Sequence, residues 1–548
     1  MWWFVMEINY KVERLDHLGV VSGLIKELGI IEFVDERLSP PKGADLEEIS
    51  SGEAVAGMIM NGLGFTARPM YMTPDFFKTK ALESLFRQGV KAEYFNSNKL
   101  GKTLDRIYSY GYEKLLFEIS AYVCQQEEIC TQFCSGDTTT LSTNGEYAQK
   151  DDENAINITH GFSKDRRPDL KQVVLELLCS QDAGVPLAMK VLDGNASDSA
   201  IFKERSEELV KQLNTTEQAK YYIFDSKLYS KENAKNLALL NFITRIPKSI
   251  KESKMAVDEA IEHNQWVKLD ENNKYFLKNI THYGVNQRWL IVYSKAAANR
   301  ARKRIEKAIF KENSSIVLQL KKISKLSFCC EKDALLALER LNKPLKYHDI
   351  LLKSQIEKIK NNKTKDGNDE SIYRIISEIV SKTETKEEKI NQESCFIITS
   401  NVSTEELADH EIINKYKNQN TCIENTGFRF LKDPMFFVSS LFLKKNSRIM
   451  SLLSIMMLSL LIYTVAQRRL RKSLEKTKET IPNQIKKPTE QPTIRWIFQL
   501  LEGINVIKII SNSIVKVVIE GIDQLKNKIL RYFGRKVSET YGLYYQIE

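Results

Sequence analysis

The chain has 548 residues, more than one core of about 100–200 residues accounts for, so two to four units are expected. Its 81 Lys and Arg against 71 Asp and Glu leave a net charge of +10, which favours a polyanionic partner but is spread over a large surface. The eight cysteines form no CxxC pair and the six histidines no HxxxH pair, which argues against a zinc site and for buried thiols in a reducing cytoplasm. The opening "MWWFVM" meets Glu7 too soon for a signal peptide.

From about residue 10 to 128 the segments "LGVVSGLIKELGIIEFVDERL", "GEAVAGMIMNGLGF" and "LGKTLDRIYSYGYEKLLFEISAYVCQQEE" space apolar residues by three and four, predicting an α-helical domain over 1–128. The period then changes. "TQFCSGDTTTLS", "KQVVLELLCSQ" and "VPLAMKVLDG" read as three strands joined by turn residues, and a helix follows in "DSAIFKERSEELVKQL". Next come "YYIFD" as a fourth strand, a helix in "KENAKNLALL" and a fifth strand in "NFITRIP". Three hairpin-linked strands followed by alternating helices and strands predict a mixed sheet over 129–250, in the strand order of the ribonuclease-H-like fold.

Residues 251–390 break this pattern with strand-like "WVKLD", "KYFLKNI" and "RWLIVYS" and a highly charged helical stretch, and are read as an insertion. A second part of the core is expected over 391–480, with the strand "SCFIITS" and a helix through "EIINKYKNQNTCIENTGFRFL". "IMSLLSIMMLSLLIYTVA", 449–466, is uncharged and abuts "QRRLRK", so by composition it could span a membrane. Its serines, its marginal length and the lack of a second such segment favour a buried core helix and no membrane. Over 481–548 a Pro-punctuated basic linker precedes an amphipathic stretch, read as helical, from "IFQLLEGINVIKII" to about Tyr532.

A lone carboxylate such as Asp137, in "FCSGDTTTLST", is ordinarily a turn or cap residue. Asp225, closing "YYIFD", changes that reading, because the first and fourth strands of the expected sheet lie side by side and bring both acids to one edge. A third acid from a neighbouring helix would complete an oxygen-only cage suited to Mg²⁺ or Mn²⁺, which clamps the attacking and leaving oxygens of a phosphoryl displacement.

The segments around these residues resemble the DDE transposases of the insertion-sequence 4 superfamily, and most closely its insertion-sequence 1634 group. The resemblance runs through "GDTTTLSTNGEY", "HGFSKDRRPDLKQVVLELLCSQDAGVPLAMKVLDGNASD", "IFDSKLYSKENAKNL", "FITRIP", "FRFLKDPMFFVSSLFLKKNSRIMSLL" and "KKPTEQPTIRWIFQLLEGI". It implies a DNA transposase with two Mg²⁺ or Mn²⁺ ions per site, held by Asp137, Asp225 and Glu424 as catalytic triad and metal ligands. It also implies double-stranded DNA partners, the terminal inverted repeats and the target, a homo-oligomer on paired ends, and a cytoplasmic, nucleoid-associated location. The superfamily's third-acid signature is Tyr, two residues, Arg, three residues, Glu, six residues, Lys. Here Tyr416 is followed at the Arg position by Gln419, four residues separate Gln419 from Glu424, and Lys432 lies one place further than expected. Each residue of slippage on an α-helix turns a side chain by about 100°. Either the local backbone differs or the copy is damaged, and the alternative function is therefore a catalytically inactive DNA-binding descendant. Lys164, Arg166, Arg167 and Lys171 in "SKDRRPDLK", with Tyr416, Arg429 and Lys432, are the expected DNA contacts. The N-terminal helices show no helix-turn-helix pattern, and end recognition is assigned to them by position.

Overall fold

The computed structural model describes residues 9–39, 47–66, 68–147, 151–196, 220–226, 229–231, 233, 238–352, 357–360, 371–434, 443–511 and 514–543. The chain divides into two compact units, one formed by Met1–Ile243 with Asn414–Glu548 and the other by Thr244–Ile413.

The first unit opens on a strand, β1 (Asn9–Arg14), and then runs through helices α1 (Leu18–Glu27), α2 (Ile30–Arg37), α3 (Ser51–Leu63), α4 (Ser97–Tyr110) and α5 (Tyr112–Gln126). Helix α3 starts in a capping box, in which Ser50 accepts from Glu53 N and the Glu53 carboxylate accepts from Ser50 N. Every residue of α3 is buried, so it forms the middle of the helical layer.

Five strands follow where β-branched and aromatic runs predict them: β2 (Phe133–Thr143), β3 (Lys171–Ser180), β4 (Pro186–Leu192), β5 (Tyr221–Phe224) and β6 (Asn241–Arg245). Their order across a mixed sheet is β4-β3-β2-β5-β6. Strands β2, β3 and β4 pair antiparallel as successive hairpins, whereas β5 returns parallel to β2. The helix expected in "DSAIFKERSEELVKQL" lies outside the described residues, as does most of the one expected in "KENAKNLALL".

The apolar segment becomes part of helix α6, which spans Asn446–Thr477. It is long and apolar enough to cross a membrane, but 89% of its apolar window is buried inside the protein. It packs on α1, α3, α4, α5 and β4. Most of its hydroxyls are satisfied within the helix, Ser454 donating to Ser451 O, Ser459 to Ile455 O and Thr464 to Leu460 O, while Ser451 also donates to Leu104 O of α4. At its polar end Arg468, 7% exposed, donates to both carboxylate oxygens of Asp182 and to the carbonyls of Glu127 and Glu128.

The C-terminal region departs from the helical expectation. After a short helix, Ile494–Leu500, it forms the hairpin β7 (Asn505–Ser511) and β8 (Ile514–Glu520), and only then two short helices. Strand β7 pairs antiparallel with β1, so both ends of the chain share a three-stranded sheet. Its β-branched Val and Ile residues favour an extended backbone, and pairing to β1 supplies the partner that a helix would not have used.

In the second unit, strands Val267–Lys268, Asn273–His282, Val285–Ser294 and Cys395–Ser400 pair antiparallel. The strand ending at Ser294 passes directly into the 29-residue helix Lys295–Ile323. Ile316, Ala334, Leu338, Ile350 and Ile375 make a small separate core.

Cys124, Cys134, Cys179, Cys395 and Cys422 are buried thiols as expected; Cys130, Cys329 and Cys330 are exposed.

Candidate functional site

Strands β2 and β5 are in parallel register with Gly136 opposite Phe224, so the next step along each strand sets Asp137 abreast of Asp225. Adjacent strands lie about 4.8 Å apart, and residues at one register position project to one face. The two acids predicted to meet therefore do so.

Glu424 reaches the same place from a different element. Helix Asp409–Gln419 continues into a π-helix, Asn420–Phe428, and then into the α-turn Arg429–Lys432. Several contacts tie this segment to the sheet. Gln419 Nε2 donates to Gly136 O at 3.2 Å, the residue just before Asp137. Gln181 Nε2 donates both to Lys415 O at 2.7 Å and to Ser135 Oγ at 2.9 Å. Gly427 lies so close to Leu177, the register partner of Asp137, that an added Cβ would sit 3.0 Å from Leu177 Cδ2. Cys422, Ile423, Gly427 and Phe428 face inward, while Glu424 is exposed.

The π-helix resolves the irregular spacing. A turn closed by i→i+5 hydrogen bonds takes about one residue more than an α-turn. Nine residues make about two such turns, which absorbs the two extra residues between Tyr416 and Lys432. The local backbone differs, as one of the two sequence readings required.

Electrostatics shows the other two acids acting on Asp137. The Asp137 pKa is raised from 3.8 to about 6, chiefly by burial and to a lesser degree by the charges of Asp225 and Glu424, with Lys164 and the Thr138 N–H opposing the rise. Thr138 N donates to Asp137 Oδ1 at 2.7 Å. Among the described residues no group of three or more His, Cys, Asp or Glu side chains is gathered closely enough to ligate one ion. The acids are thus a loose constellation centred on Asp137, with an oxygen-only donor set of the kind that suits a hard divalent cation.

The expected DNA contacts separate into two kinds. Lys164 is held at the carboxylate edge, its Nζ donating to Thr138 O at 2.5 Å and to Thr138 Oγ1 at 2.7 Å, and its backbone N to Thr140 Oγ1. Lys432 pairs with Asp165 at 2.6 Å, joining the turn after the π-helix to the basic loop. Arg167 pairs with Asp169 at 2.7 Å, and Lys171 donates to Glu146 O. Arg166, in a left-handed conformation at φ 58°, and Arg429 are exposed, and Tyr416 is half-buried. The loop is seated by a close backbone approach, since a Cβ on Gly161 would fall 2.1 Å from Gly194 O.

Sequence reasoning missed Gln181 and Thr138 and saw Gln419 only as a departure. Buried amides that bond a distant backbone carry no periodic signal.

A family model described as a domain of unknown function (DUF4277) matches residues 10–121, the helical N-terminal region. No curated protein matches the chain. Among solved structures, the chain is similar to the piggyBac transposase in a cryo-EM synaptic complex with hairpin DNA. The TM-score is 0.34 at 9% identity, covering 90% of this chain and 82% of that one.

Proposed function

We propose that this chain is a metal-dependent DNA transposase of DDE type with a ribonuclease-H-like core, and that Asp137, Asp225 and Glu424 are its catalytic acids. The observation that carries the reading is the convergence of these three residues, with Asp225 and Glu424 both near enough for their charges to act on Asp137. Two stand abreast on parallel β2 and β5, and the third is hung from Gly136 through Gln419. The strand order β4-β3-β2-β5-β6 and the motif resemblance support it.

Divalent ions such as Mg²⁺ or Mn²⁺ held by the three carboxylates would supply activation of an attacking water or 3′-hydroxyl and stabilisation of the leaving oxygen. The chain's own residues position the reacting DNA. Lys164 places a positive charge beside Asp137, and the exposed Arg166 and Arg429 offer phosphate contacts. The substrate would be double-stranded DNA, the terminal repeats and then the target, handled by an oligomer on paired ends in the cytoplasm.

A second reading, an inactive DNA-binding descendant, is favoured by one observation, the lack of a gathered ligand group among the described residues. Strand cleavage on a duplex carrying the repeats that flank the gene, with Mg²⁺ or Mn²⁺, separates the two. Cleavage at the repeat boundary that vanishes in Asp137→Ala supports the transposase; binding without cleavage in either ion selects the inactive descendant.

A further inference from the structure

The helix Lys295–Ile323 of the second unit has a charge pattern that its packing does not use. Ala301, Ile305 and Ile316 are its buried residues, and it packs on the helix Thr383–Ser394, with Arg304 paired to Glu393. Glu312 fixes its far half by accepting from Lys346 N, Tyr347 N and His348 Nδ1. On the outer face Arg300, Lys303, Lys307 and Lys311 are all exposed, and no ion pair or side-chain hydrogen bond joins them to any described residue. Steps of three and four residues set them on one stripe about 17 Å long. Phe310, 73% exposed, lies within it.

A solvated helix face ordinarily interleaves acids with bases. Residues 295–311 hold seven cations and a single acid, Glu306, in a chain whose overall charges nearly balance. Like charges one turn apart repel by a few tenths of a kcal/mol each, so the stripe weakens the isolated helix and suits an anion. A duplex carries one negative charge per about 1.7 Å of axis, hence about ten phosphates along such a stripe.

We propose that this face binds the phosphate backbone of duplex DNA without reading sequence, giving the second unit a DNA-holding role distinct from the carboxylate site. The inference rests on the nucleic-acid reading above but not on catalysis.

The test compares the full-length protein with a variant carrying R300Q, K303Q, K307Q and K311Q, titrated against a random-sequence duplex at several salt concentrations. Each lost phosphate contact lowers the log–log salt slope by about 0.9, so the expected fall is up to about 3.6, with weaker binding at low salt. These side chains hold nothing in place, so the melting temperature should not drop. An unchanged slope overturns the proposal, as does an equal fall in a control changing the exposed Lys472, Lys476, Lys486 and Lys487 to Gln. If the slope falls but the repeat duplex is never cleaved, the catalytic reading fails and this one stands. Cleavage with an unchanged slope overturns this proposal and leaves the catalytic reading standing, and a wild-type protein that binds no DNA defeats both.

Discussion

Replacing Asp137 by Asn should stabilise the metal-free protein at neutral pH. The carboxyl is raised from 3.8 in the unfolded chain to about 6 in the fold, first by burial and further by the charges of Asp225 and Glu424. That gap corresponds to about 3 kcal/mol. A raised folded pKa means that the folded state binds the proton more tightly, so the stability it lends is fully present below pH about 4. It is lost as pH rises through about 6. Asparagine keeps an oxygen to accept from Thr138 N but carries no proton to lose. Urea denaturation of both proteins between pH 4 and 8 should therefore give curves that coincide at the acid end. They should diverge to about 3 kcal/mol in favour of the variant above pH about 6. Adding Mg²⁺ at pH 7.5 should close the gap from the wild-type side, by about 2.7 kcal/mol at a hundredfold excess over the dissociation constant, and leave Asp137→Asn unmoved. A difference that stays flat with pH refutes the assigned environment of Asp137, and a wild type indifferent to both Mg²⁺ and Mn²⁺ refutes its role as a ligand.

Deleting Asn420, exposed at the start of the π-helix, should let the first wide turn close as an α-turn and leave Glu424 in place relative to its Gln419 anchor. Divalent-ion stabilisation and repeat cleavage should both survive while the far-ultraviolet dichroism stays native; loss of both with the fold intact would show that the wide turn does not simply absorb the extra residue. Arg468→Met leaves Asp182 and two carbonyls without their buried partner and should cost about 3–5 kcal/mol by denaturant titration. Leu461→Ala, in the fully buried stretch of α6, should cost about 2–5 kcal/mol in the same assay, whereas a helix face turned to lipid would tolerate the change.

The sheet and its two strand-borne acids were legible in the sequence because each rests on local chemistry. Strands β2 to β5 are runs of β-branched and aromatic residues cut by Gly, Asp and Pro, and the order of the runs sets Asp137 beside Asp225. The sheet of β1, β7 and β8 was hidden. "NYKVER" has almost no apolar content, and the strand it pairs with is about five hundred residues away in the chain. "NVIKII" and "IVKVVIE" are rich in β-branched residues but do not alternate, and following the apolar helix "IRWIFQL" they read as its continuation. At the third acid the slip in spacing was visible and its remedy was not, since an α-turn and a π-turn differ by one hydrogen-bond step that composition does not encode.

The strongest reason to treat Asp137 as more than a strand-end residue lies in how other acids of this chain are handled. Asp182, despite its burial, is held below the usual carboxylate range by Arg468 and the Cys130 N–H, and Asp151 likewise by Ser447. Glu47 is held down by Arg106 and Lys99, and Glu312 by two backbone N–H groups and His348, both against the opposing effect of burial. In each case the fold gathers donors and cations around a structural carboxylate. At Asp137 one cation, Lys164, and one N–H, that of Thr138, do not offset burial and the two neighbouring acids, and the carboxyl stays raised. A structural Asp in that position would be better replaced by Asn or Ser, which satisfy the same Thr138 N–H without the charge. A local arrangement that works against stability in the metal-free chain, yet is held in place by Gln419, Gln181 and a wide helical turn, makes physical sense where a cation completes it.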